Sequence, residues 1–329
     1  MSQKRAFALA ALLGLVAAAL AWWLISMGRE SGEPHLTSYE PQYIDGPAML
    51  NLAETLSSDA LEGRAAATAG NEAARGFILK RFETLHLRQF RDTYQHPFAI
   101  LPGEDDPDAP PRTGVNIVGW VAGKTPGEGP AIIVTAHYDH LGIKDGEIYN
   151  GADDNASGTA ALIAVAEYFT HHAPEHDVIF AAVDAEEIGH LGSKDFVRAG
   201  IVDMDRVALN INFDMVSRSA AGELYVAGTS HYPQLLPLVE QLSGEAPVTL
   251  LTGHDTEELG YNDWTYASDH ASFHRAGIPF LYFGVEDHEG YHDPSDDYAN
   301  ITHEFYLRAG DTLVMAAIAA DAWVASVAN

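Results

Sequence analysis

Alternating apolar strands and amphipathic helices predict an α/β protein, a three-layer α/β/α sandwich around a mostly parallel, mixed central sheet. Three observations carry that expectation. Ala131–Ala136 (AIIVTA), Asp177–Val183 (DVIFAAV), Val207–Phe213 (VALNINF) and Ile278–Val285 (IPFLYFGV) are apolar almost throughout, the pattern of strands covered on both faces. Helical patterns separate them in the order of βα units. Each run also opens into residues that metals favour: His137, Glu187, Asp214 and His292, with Asp154 in the string after the first strand. Open α/β sheets bind ligands in the crevice beyond the carboxyl ends of their strands. These strand ends therefore point to one converged site, and a metal is its expected occupant.

From the N-terminus, Lys4 and Arg5 precede an apolar run from Ala6 to Ile25, and the chain turns polar at Arg29. Residues 1–27 read as a membrane anchor or a signal peptide. Ala19-Leu20-Ala21 would serve as a cleavage site, but the run can span a bilayer at about 20 residues. Trp22-Trp23 sits where an interfacial belt would lie, so an uncleaved anchor is preferred. Either reading exports the remainder of the chain: membrane-anchored facing outside the cytoplasm, or periplasmic or secreted after cleavage. Residues 28–47, rich in Gly, Pro, Ser and Glu, read as a linker, and 48–329 as a single domain.

Within that domain a helix is expected from Ala48 to about Ser57, and a second from an Asn71 N-cap through Leu85. Asn116–Val121 reads as a strand and Pro102–Pro111 as an acidic loop. Beyond Val134 come helices at Ala156–Thr170, Ser193–Ala199, Pro233–Leu242 and Ser268–Ala276. A strand is expected at Glu223–Val226, and a long helix at His303–Ser326 closes the fold.

Composition narrows the partners. A net charge of −29, from 47 Asp and Glu against 18 Lys and Arg, disfavours nucleic acid and anionic lipid, which want a basic footprint. Membrane contact is expected only through the N-terminal segment. The sequence has no cysteine, so any metal is held by His and carboxylate.

Each motif has an ordinary explanation beside the chemical one. His137-Tyr138-Asp139-His140 is either a polar loop or a ligand followed by the carboxylate that orients it. In Asn150–Gly158 (NGADDNASG), capping accounts for Asn155 or Ser157. Paired acids at the mouth of a cleft repel one another without a cation, so a ligand is the better reading there. Glu186 and Glu187 suit a helix start, or divide labour between metal binding and proton transfer. Asp214, ending a buried strand, is costly unless paired or metal-bound. His288-Glu289-Gly290-Tyr291-His292 matches H-E-x-x-H, which works only on a helix. Gly290 and Pro294 argue against one, leaving His292 a loop ligand. His171, His172 and His176 read as solvated, and His270 as a residue lining the site beside Asp269.

The ordered set HYDHLG, NGADDNASG, DAEEIGHLGS, NFDM, SDHASFHRAGIPFLYFG and HEGYHDPSDD resembles the exported co-catalytic di-zinc aminopeptidases, metallopeptidase family twenty-eight, over about residues 48–326. The resemblance implies two Zn2+ ions, with Asp154 bridging them. His137 and Asp214 would complete one site, and Glu187 and His292 the other. It implies Glu186 as general base for a hydroxide held by the two ions, Asp139 as the partner of His137, and Tyr291 as a group polarising the scissile carbonyl. An acidic residue is expected where Gly290 stands. The implied substrate is a peptide with a free N-terminus, with no obligate protein partner. Glutaminyl-peptide cyclases share the fold and are the rival enzymatic reading. A non-catalytic ectodomain would be expected to have lost ligands or the base, and this chain keeps them.

Overall fold

The computed structural model describes residues 38–102 and 107–327. The expected anchor or signal peptide at residues 1–27 lies outside the described residues, as do the start of the expected linker and part of the acidic loop. Among the described residues, no helix is long and apolar enough to cross a membrane.

Four parallel strands form the centre of the sheet: β4 (Ala131–His137), β7 (Asp177–Val183), β8 (Val207–Phe213) and β11 (Phe280–Gly284), side by side in the order β7-β4-β8-β11. Their apolar runs serve two faces at once. Val178, Phe180 and Ala182 of β7 enter one core cluster, while Ile179, Ala181 and Val183 enter another, as the two-residue period of a strand requires. β3 (Arg112–Val121) pairs antiparallel with β7 at one side, and carries β1 (Arg88–Gln89) and β2 (Gln95–Ile100) on its outer edge. On the other side β9 (Glu223–Ala227) runs antiparallel to β11 and parallel to β10 (Thr249–Thr252). A small hairpin, β5 (Gly142–Lys144) and β6 (Glu147–Tyr149), stands apart.

Helices α1 (Gly46–Leu56), α2 (Ala69–Thr84), α3 (Gly158–His171), α5 (Leu236–Glu245) and α7 (His303–Val327) cover one face. α4 (Leu191–Arg198) and α6 (His270–Arg275) cover the other. The three-layer sandwich expected from the sequence is the observed architecture.

Several local expectations are corrected. The N-cap of α2 is Thr68, whose hydroxyl accepts from the Asn71 amide at 3.2 Å. Asn71 is instead fully buried and donates its side-chain amide to Asp184 Oδ1 at 2.9 Å. Residues Tyr39–Tyr43, expected within a tether, are held against α7: Asp311 accepts from the Tyr39 hydroxyl at 2.6 Å and from the amides of Gln42 and Tyr43. His176, expected to be solvated, places its ring 2.8 Å from Asp321. β2 and β10 were not legible. β2 buries only His96, Phe98 and Ile100, with Pro97 interrupting the apolar pattern, and an edge strand is where proline is tolerated.

Candidate metal centre

The carboxyl ends of the four central strands deliver the candidate residues to one place. His137 is the last residue of β4, and Asp214 follows β8 directly. Glu186 and Glu187 follow β7 after a left-handed turn at Ala185. His292 lies in the loop beyond β11, also left-handed at φ 54°. His288–His292 is a turn segment and not a helix, so the H-E-x-x-H match is incidental. His288 instead pairs with Asp153 Oδ2 at 2.9 Å.

Asp154 sits in an irregular turn ahead of α3, and its peptide bond to Asn155 is cis. Gly151 opens this turn at φ +56°, and a Cβ there would collide with the Asp154 carbonyl and the His140 ring. Only glycine meets both demands cheaply. Asp296 accepts the backbone amides of Asp153 and Asp154 at 2.9 and 3.0 Å. Asn155 donates to the Phe213 carbonyl at 2.9 Å, and Asp153 accepts from the Ser217 amide and hydroxyl. These bonds tie the turn to the end of β8 and to the His292 loop.

Two donor clusters result, and both contain Asp154. In the first, His137 Nε2 lies 3.3 Å from Asp154 Oδ1 and 3.2 Å from Asp214 Oδ1. The second is His140, Asp154 and Glu187, and His292 Nε2 lies 3.3 Å from both Asp154 Oδ2 and Glu187 Oε2. Donors about 2.0–2.2 Å from a tetrahedral zinc stand roughly 3.3–3.5 Å from one another. The separations therefore suit a shared ion better than close hydrogen bonds. Glu187 Oε1 is buried and lies 2.6 Å from His140 Nδ1, an ion pair at the edge of the second cluster.

The electrostatics agree. His137 is held well above its usual pKa: burial opposes the charge, but Asp214, Glu186 and the other carboxylates outweigh it. Contacts with Asp154 and Glu187 push His292 up to about 10. Asp154 stays well below the carboxylate range, because the three histidines facing it outweigh its burial. Glu186 moves the opposite way, driven well up by burial and by its neighbours Asp269, Asp214 and Glu187 against the pull of His137. A carboxyl so placed is predisposed to carry a proton.

Asp139 meets the His137 ring and also holds the next loop. His137 Nδ1 lies 3.2 Å from the Asp139 backbone carbonyl and 3.7 Å from its carboxylate. That carboxylate accepts the Glu186 amide at 3.0 Å and the Glu187 amide at 3.4 Å. Asp139 thus fixes the Glu186–Glu187 loop with its side chain and approaches the His137 ring with both its main chain and its carboxylate.

A cleft of about 400 Å³ is lined by Asp154, Glu187, Asp214 and His292 of the clusters, by Glu186 and Tyr291, and by Met215, Trp264 and Tyr282. Tyr291 stacks on His292, ring centroids 4.0 Å apart. Where a side chain at Gly290 would project, the Arg218 guanidinium fills the space. Two neighbours escaped sequence reasoning. His190 Nε2 lies 3.1 Å from Glu186 Oε1. His140 lies beside Glu187, and its only signal was a second histidine in HYDH. His270, expected to line the site, is fully buried against two residues of the cleft wall, with Nε2 2.8 Å from the Trp264 carbonyl and its ring stacked on Tyr282.

The model of Peptidase family M28 matches residues 116–317, more than half of the chain. The chain belongs to peptidase family M28. Aminopeptidase YwaD of Bacillus subtilis is 33% identical over 223 residues, covering 63% of this M28 chain and 44% of YwaD. The chain spans less than half the length of the curated relatives it matches first. Among solved structures, a zinc aminopeptidase from Bacillus subtilis superposes with a TM-score of 0.68 at 19% identity, over 85% of this chain and 96% of that one. Porphyromonas gingivalis glutaminyl cyclase does so at 0.66 and 17%, over 84% and 98%. At such identities these likenesses establish the M28 fold, and the site must carry the function.

Proposed function

We propose that this M28 chain is a zinc-dependent aminopeptidase that removes N-terminal residues from peptides, with two metal ions sharing Asp154. The observation that carries the reading is the pair of donor clusters meeting at Asp154, with Glu186 beside them in the lining of the same cleft. His137, Asp154 and Asp214 would hold one ion, and Asp154, Glu187 and His292 the other. Bound there, the ions would supply Lewis acidity toward a carbonyl oxygen and a water acidified to near neutrality.

The chain's own groups do the rest. Glu186, buried and predisposed to carry a proton, takes one from the attacking water and returns it to the leaving amine. Tyr291, driven further toward its neutral hydroxyl by burial and by Asp154 and Asp214, donates a hydrogen bond to the oxygen on which charge develops. Asp139 keeps the Glu186–Glu187 loop in register with His137. The same reading places the enzyme outside the cytoplasm, supported by Lys4, Arg5 and the apolar run after them.

The test is a panel of aminoacyl substrates, N-blocked analogues and an N-terminal Gln peptide, with and without chelator. Release of free residues from unblocked substrates, lost with chelator and restored by zinc, is expected. Cleavage of blocked substrates would rule the aminopeptidase reading out. Ammonia release from the Gln peptide without residue release would identify a glutaminyl cyclase instead.

A further inference from the structure

We propose that the cleft selects peptides whose first residue is lysine or arginine, and that the Asp287 carboxylate makes the selection. The inference rests on the aminopeptidase reading and names the substrate class of that same site.

The loop after β11 carries three acids, and two of them already face a basic side chain. Glu286 Oε1 lies 3.1 Å from His254 Nε2, and Glu289 Oε1 lies 3.5 Å from the Arg218 guanidinium. Asp287 lines the cleft, is exposed, and has no basic side chain paired with it among the described residues. Its partner is the Tyr261 hydroxyl, which donates to Oδ2 at 3.2 Å. A neutral phenol fixes the carboxylate in place without cancelling its charge. No lysine or arginine is among the residues that line the cleft. The other carboxylates there belong to the donor clusters or to the proposed base. Asp287 is thus the negative charge of the cleft that the proposed chemistry leaves over.

The wall beside it suits a long cationic side chain. Met215, Trp264, Tyr282 and Val285 line the cleft and are each no more than 9% exposed, so they form its closed, apolar side. The Val285 amide donates to the Met215 carbonyl at 2.8 Å, and Asp287 stands two residues farther on. Trp264 is steadied by the His254 ring, stacked at 3.7 Å and 9°. The histidine that occupies Glu286 therefore also holds the wall. Lysine and arginine lay their methylene stems along apolar surface and keep the charged head toward water. Here the closed wall would take the stem and Asp287, at the exposed lip, the head.

The residue that meets this wall is the first of the peptide. It has no chain before it, so it alone fits a closed side, while the residues behind it leave through the open mouth. Asp287 also adds to the burial, Asp154 and Asp214 that keep the Tyr291 hydroxyl neutral, which sets it near the group assigned to the scissile carbonyl. A net charge of −29 supplies a long-range pull on cationic peptides.

The experiment uses the full-length, zinc-loaded chain and the 4-nitroanilides of lysine, arginine, norleucine and glutamate, norleucine matching the lysine stem without its charge. In the wild type kcat/KM for lysine should exceed that for norleucine roughly fivefold or more, with glutamate the poorest. The lysine-to-norleucine ratio should fall to about one in Asp287→Asn, stay above one in Asp287→Glu and invert in Asp287→Lys. On the wild type alone the ratio should decline as sodium chloride is raised, because salt screens exposed charges. A wild-type ratio near one would overturn the proposal and spare the aminopeptidase reading. So would a ratio that survives in Asp287→Asn while every substrate slows alike, which would assign Asp287 to the peptide's ammonium group. Release of no residue from these or any other unblocked substrate would overturn both.

Discussion

At the scale of single residues, adjacent carboxyls and histidines are sorted by what surrounds them. Glu187 is kept ionised by His140 and His292 against its burial, while Glu186 is pushed toward its protonated form. Glu186→Gln is therefore expected to bind metal normally in a titration, yet lose roughly 10²–10⁴-fold in kcat. Unchanged turnover would remove Glu186 from the mechanism. His190 adopts a left-handed backbone at φ 57°, a conformation costly for a side chain larger than glycine, and its ring abuts Glu186. His190→Leu should lower kcat about tenfold with little change in KM, because the contact steadies the proposed base and not the substrate. His270 makes a third case. Burial holds its pKa down to about 3, below the unfolded value near 6.5. Below pH 6.5 the unfolded chain takes up a proton that the folded chain refuses, so stability falls as pH drops toward 3, at up to about 1.4 kcal/mol per pH unit. His270→Phe should flatten that slope in denaturant titrations between pH 6 and 4.

At the scale of elements, the parallel strands are the part most directly written in the sequence. β7 and β8 begin and end where their apolar runs do, since strands buried on both faces admit few polar residues. The residues at their ends follow from that reading. What was not legible depends on the loops. Thr68 displaces Asn71 as a cap because Asn71 is drawn into the interior by Asp184. His140 and His190 become neighbours of the acids only once the loops after β4 and β7 are folded. Asp296 shows the same limit: its role is to accept amides from a turn more than a hundred residues away in sequence, and no spacing rule reaches that far. The turn before α3 is the most exacting of these pieces. Gly151→Ala should cost at least about 1–3 kcal/mol, through positive φ and collision with Asp154 and His140 together. Metal titration of the variant should show weakened binding even where circular dichroism reports a folded chain.

At the scale of the whole molecule, the four central strands hold the site as a rigid platform while their connecting loops supply the chemistry. The donors come from four separate loops, so the folded chain assembles a site that the unfolded chain does not have. Metal binding and folding stability are then linked. At 100 times its dissociation constant an ion adds about 2.7 kcal/mol to the folded state, so chelation should lower the thermal midpoint by several degrees, with zinc restoring it. An unchanged midpoint would separate the clusters from metal binding.

Asp154 faces both clusters with one oxygen each, and Asp296 fastens the backbone beneath it. A carboxylate held this way cannot answer one ion without altering what the other meets. If two ions bind as proposed, their occupancies are therefore coupled, and whatever factor the first contributes to the affinity of the second is returned in equal measure. A chelator series should accordingly find the ions leaving in an interdependent sequence, and a partly loaded population would differ in kind, and not only in number, from a mixture of full and empty chains.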